Sequence, residues 1–142
     1  MSKIKKMQKV STILLGSVVA VSFSGCLSSE APKCSSDEAI ESVKSLYIDM
    51  QENVKSNPYA ALFASSLPKE MTSIESIRPV SYDENIKMRS CKATAKLENG
   101  SEIDIEYTIQ LNEENSDEYY VELSSSFLEA LMMQNMMKSI MK

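Results

Sequence analysis

The stretch Leu97-Glu98-Asn99-Gly100-Ser101-Glu102-Ile103-Asp104-Ile105-Glu106-Tyr107-Thr108-Ile109-Gln110-Leu111 decides how this chain folds. From Ser101 onward apolar and polar residues alternate strictly. Ile103, Ile105, Tyr107, Ile109 and Leu111 form one set; Glu102, Asp104, Glu106, Thr108 and Gln110 form the other. A period of two over such a run specifies a strand with one face buried and one in water. Asn99-Gly100 ahead of it suits a two-residue type I′ turn, because both central positions of that turn need positive φ. A partner strand must therefore precede the turn, and residues 85–97 supply it. Their apolar phase begins with Ile86 and Met88 and then shifts to Cys91, Ala93, Ala95 and Leu97. A one-residue slip of this kind predicts a β-bulge near Arg89 and Ser90.

Working outward, residues 72–82 read as an earlier strand, irregular at Ile74 and Ile77, with Pro79 marking an edge. A polar loop over residues 112–117 leads to a last strand at 118–124, with Tyr119, Val121 and Leu123 on one face. The expectation is a four-stranded antiparallel meander.

Upstream the period is helical. Ile40, Val43, Tyr47, Met50 and Val54 recur at steps of three and four, Leu46 widens the stripe, and Glu41, Ser45, Asp49 and Glu52 lie opposite. Ser35 and Glu38 are spaced as a capping box. Asn57 and Pro58 read as the cap and first residue of a short second helix carrying Tyr59, Leu62 and Phe63. An apolar helical stripe must be covered, and the sheet's apolar face is what covers it. The expected fold is α+β, a helical layer on a meander, cystatin-like or NTF2-like in style.

After Ser125 the chain becomes helical again, with Ser126 and Glu129 spaced as a capping box and Met132, Met133, Met136, Met137 and Met141 among its residues. Three readings stay open for this segment. It packs as a terminal core helix, since Met fills irregular gaps. It is a contact surface for a protein or a membrane interface. Or Met133, Met137 and Met141, at steps of four, hold Cu(I) through soft sulfur.

The first 25 residues have the three parts of an export signal. Lys3, Lys5, Lys6 and Lys9 form a basic start, an apolar run follows from Val10 to Phe23, and small Ser24 and Gly25 precede Cys26. Phe23-Ser24-Gly25-Cys26 resembles the lipobox of bacterial lipoproteins, with Phe23 where Leu is usual. The resemblance covers residues 1–26 alone. It implies cleavage before Cys26, acylation of the Cys26 thiol and new amino group, and stable membrane anchoring by several chains. Leu27, where retained members carry Asp, favours the outer membrane on its periplasmic side; a Gram-positive host would place the protein on the outer face of the cell membrane. Residues 26–34 then serve as a tether, 35–125 as the domain and 126–142 as the Met-rich helix.

With Cys26 lipidated, Cys34 and Cys91 remain as a pair in an oxidising compartment, where disulfides persist; two free thiols are the alternative. Loss of the leader takes away four lysines and no acid, moving the net charge from −5 to −9. Residues 97–137 hold ten acids and no Lys or Arg, so nucleic acid is a poor partner and a cationic one is better. The chain contains no histidine, which removes Ser-His-Asp and Cys-His chemistry and nearly all common zinc sites. With three glycines in all there is no phosphate-cradling loop. Glu102, Asp104 and Glu106 lie side by side on one strand face, where solvated carboxylates are the default. The reading is a non-enzymatic, lipid-anchored envelope protein that needs no cofactor or metal and binds another envelope component. Its candidate contact residues are Met133, Met136, Met137, Met141, Glu102, Asp104 and Glu106. A Cu(I)-binding protein and a small inhibitor or exclusion lipoprotein are the alternatives.

Overall fold

The computed structural model describes residues 4–8 and 30–142. The apolar run of the leader, the Phe23-Ser24-Gly25-Cys26 motif and Leu27 lie outside the described residues. The elements are β1 (Ile4–Gln8), α1 (Asp37–Lys55), α2 (Pro58–Ala64), β2 (Met71–Asp83), β3 (Met88–Leu97), β4 (Glu102–Leu111), β5 (Glu118–Leu123) and α3 (Ser126–Ile140). The fold is α+β. The four expected strands form consecutive antiparallel pairs, and β1 adds to the outer edge of β5, giving the order β1-β5-β4-β3-β2. No helix among the described residues is long and apolar enough to cross a membrane.

The alternation in β4 does what its period dictates. Ile103, Ile105, Tyr107 and Ile109 are buried, with Cys91, Ala93, Ala95 and Leu97 beside them on β3 and Tyr119, Val121 and Leu123 on β5. Against this face α1 lays Val43, Leu46, Tyr47 and Met50, all essentially without solvent contact. Small Ala93 and Ala95 on β3 stand opposite the larger Ile105 and Ile103 of β4, the alternation of sizes that a dense core requires.

Several local expectations change. The cap of α1 is Ser36 rather than Ser35; its side chain accepts from the Ala39 amide at 3.3 Å, so Glu38 sits within the first turn and closes no box with Ser35. Residues 97–101 form a wider turn than type I′. Gly100 has φ +82° while Asn99 keeps negative φ, and the Gly100 amide donates to the Leu97 carbonyl at 2.9 Å. The Asn99 side chain accepts from the Ser101 amide at 2.9 Å, which stabilises a three-residue loop in which only the glycine needs the left-handed region. The bulges fall on β2, between Met71 and Ser73, Glu75 and Arg78, and Pro79 and Ser81, whereas β3 runs in unbroken register with β4. The apolar slip in residues 85–97 needs no bulge in β3: Ile86 belongs to the turn before it, and Met88 stands with Ser90 and Lys92 on the outer face, out of phase with Cys91. Ser125, without a side-chain cap bond, precedes α3 in place of the expected Ser126 capping box.

Candidate functional site

The segment entering the domain is held tightly. Cys34 and Cys91 are joined by a disulfide of 2.08 Å, and the Tyr107 hydroxyl donates to the Cys34 carbonyl at 2.6 Å. Arg89 donates through Nε to the Pro32 carbonyl at 3.1 Å and through Nη2 to the Ala31 carbonyl at 3.3 Å. Its guanidinium stacks 4.7 Å from the centre of the Tyr82 ring and pairs with Glu30 at 3.7 Å. Ala31 is buried. The expected tether of residues 26–34 therefore ends in a docked strap over 31–34, because backbone carbonyls removed from water need donors and Arg89 supplies a rigid fork of them. Nothing in the spacing of the sequence singles out Arg89 for this task.

The acidic row on β4 is matched across the sheet. Antiparallel register sets Glu102, Asp104 and Glu106 opposite Lys96, Thr94 and Lys92 of β3. Lys92 pairs with Glu106 at 2.8 Å, Thr94 donates to Asp104 at 3.2 Å, and Lys96 bridges Glu102 at 3.8 Å and Glu75 at 3.1 Å. The hydrogen bond from Lys96 holds the Glu75 carboxyl below its usual range, and the same contact raises Lys96. These exposed pairs fix strand register more than they add stability. Of the carboxylates that the sequence offers as a contact face, Glu106 is thus paired with one lysine, Glu102 shares Lys96 with Glu75, and Asp104 meets a neutral hydroxyl. Next to them a cavity of about 700 Å³ opens on the outer face of the sheet, lined by Val80, Ser81, Ser90, Lys92, Glu106 and Thr108 among others. Its volume suits a small ligand. Of its charged lining residues, Lys92 and Glu106 pair with each other, and Glu122 adds a second carboxylate.

The third feature is α3. Phe127 and Leu131 are buried, and Phe127 meets Tyr47 with ring centres 5.9 Å apart. Beyond Leu131 the helix leaves the core. Met133, Met136, Met137, Ile140 and Met141 are between half and four-fifths exposed. Asn135 donates to the Ser66 carbonyl at 3.3 Å, and Lys138 reaches the Ser101 hydroxyl at 3.5 Å, which places this half of α3 by the β3–β4 turn and the end of α2. Tyr59 and Leu62 of α2 are also exposed, at 86% and 79%. The core reading thus holds for the first turns of α3 and fails for its Met-rich remainder.

Among the described residues no cluster of His, Cys, Asp and Glu is arranged to hold a metal ion. Comparison with family models, curated proteins and solved structures finds no match.

Proposed function

We propose that this protein is a lipid-anchored, non-enzymatic component of the bacterial envelope, held on the periplasmic side of the outer membrane by acylated Cys26. In this reading it presents the Met-rich half of α3 to another envelope protein. The observation that carries the reading is the position of two features at opposite ends of the sheet. The strap enters at Arg89 and Cys91, whereas the bare methionines lie beyond Ser101. Arg89 pairs with Ile109, and the β4 residues from there to Ser101 span roughly 26 Å at about 3.3 Å per residue. Residues 27–30 extend at most about 14 Å. A domain tied to the bilayer at its strap end therefore directs the methionines away from the lipid, which favours a protein partner over the membrane interface.

Two measurements test it. The intact mass of the protein isolated from its own cells should show loss of residues 1–25 and acyl chains on Cys26; a retained leader or an unmodified Cys26 thiol ends the anchoring reading. Replacing Met133, Met136, Met137 and Met141 together by Gln should leave the fold unchanged while abolishing cross-linking to the envelope partner. Unchanged cross-linking would remove the contact assigned to α3. A Cu(I) titration of the wild-type chain serves as the control, since a saturable thioether site would move the function to metal binding.

A further inference from the structure

The two edges of the sheet are built differently. At one edge β2 carries three register shifts, Pro79 and a positive φ at Ser76, all of which spoil pairing with another strand. At the other, β5 reads Glu118-Tyr119-Tyr120-Val121-Glu122-Leu123, with no Pro, no Lys and no shift in its register with β4. Natural sheets rarely leave so regular an edge uncovered. In this structure β1 covers it, with Ile4 opposite Glu122, Lys5 opposite Val121, Lys6 opposite Tyr120, Met7 opposite Tyr119 and Gln8 opposite Glu118. Yet β1 lies within the leader, which the proposed processing at Cys26 removes.

We propose that the β5 edge is a strand-docking site in the processed protein, taking an extended segment of an envelope partner in which apolar and basic residues mix as they do in Ile4-Lys5-Lys6-Met7-Gln8. The inference rests on the processing proposed above. Backbone geometry identifies the contacts. The Asn112 amide donates to the Glu118 carbonyl, and the Ser124 amide to the Glu106 carbonyl, each at 2.9 Å. In an antiparallel ladder these bonds alternate along the strand, so Tyr119 and Val121 turn their amides and carbonyls toward the outer edge. Cleavage of the leader would take β1 off this edge, and a docked strand would occupy the same backbone positions. The basic character of the occupant follows from charge. Glu118 and Glu122 stand on β5, Glu113, Glu114 and Asp117 on the loop before it, and Asp37 and Glu38 on the first turn of α1, which lies beside both β1 and β5.

The test uses the processed protein purified from its own cells and a labelled peptide of residues 2–10. Intact mass first establishes that residues 1–25 are gone; a retained leader overturns both the processing and this proposal. Amide exchange by NMR then follows Tyr119 and Val121, with Tyr120 and Glu122, which face β4, as internal references. Saturable binding that protects Tyr119 and Val121 while leaving Tyr120 and Glu122 unchanged is the expected result. N-methylation of the peptide at Lys5 should weaken binding about tenfold by deleting a backbone donor, and Glu122→Lys should weaken it by about threefold through charge. Absence of protection in processed protein overturns the docking site and leaves the lipid address standing. Protection without peptide, accompanied by dimerisation, overturns it in favour of pairing between copies.

Discussion

Tyr107 joins the two layers of the molecule through one hydroxyl. It is buried, donates to the Cys34 carbonyl at 2.6 Å, and its pKa is pushed by burial up to about 12. Tyr47 stands in the same position on α1, donating to the Pro68 carbonyl at 2.6 Å with its pKa also raised to about 12, chiefly by burial. Because both folded-state values lie above the ordinary 10, the stability they contribute is complete below pH 10 and is lost as pH rises from 10 through 12. A urea midpoint that is flat to pH 9 and falls steeply between 10 and 12 is therefore expected, with the fall reduced in Tyr107→Phe. At neutral pH the same variant should cost about 1–2 kcal/mol, since the buried Cys34 carbonyl loses its donor. An equal stability of wild type and variant across the whole range would show that the hydroxyl bond is not formed.

At the level of elements, α3 divides between packing and exposure. Phe127→Ala or Leu131→Ala should each cost about 2–5 kcal/mol by urea unfolding, because both side chains are enclosed by the core. Met137→Gln should lie within about 0.5 kcal/mol of wild type, as its side chain is 60% exposed. Similar losses at Leu131 and Met137 would place the methionines in the core after all. The division could not be read from sequence. Met, Leu and Ile recur almost all round this helix, so no polar stripe marks which side faces water. The position of Ser66 and Ser101 under its second half decides that. In α1, by contrast, the stripe from Ile40 to Val54 and the row from Glu41 to Glu52 left only one orientation; the cap moved to Ser36, Ile40 and Val54 are half-buried at the margins, and the polar Ser42 and Gln51 join the buried face.

Across the whole molecule, the Cys34–Cys91 bridge closes a loop with a separation of 57 residues and ties the strap and α1 to the centre of the sheet. Loop entropy assigns such a bridge roughly 4 kcal/mol, a large share of what a small domain possesses. Reduction, or Cys91→Ala, should therefore lower the thermal midpoint by tens of degrees at about 4–8 °C per kcal/mol. A shift of only a few degrees would mean that Arg89 and Tyr107 hold the strap without help from the bridge.

The alternation of residues 101–111, the helical stripe of α1 and the turn at Gly100 are local patterns, and each specified its element before any contact was known. Periodicity does this because one face of every strand or helix has to leave water, whatever the partner is. The sequence alone also placed Cys34 and Cys91 together once Cys26 was set aside. Which strand carries the bulges, whether Glu102 and Glu106 meet cations, how far α3 stays in the core and what lies on the β5 edge were decided only by tertiary structure. Each of these depends on residues far apart in the chain, Glu75 with Lys96, Asn135 with Ser66, Arg89 with Ala31. A linear pattern records which groups must be buried or paired, and only the folded chain settles the distances that choose their partners.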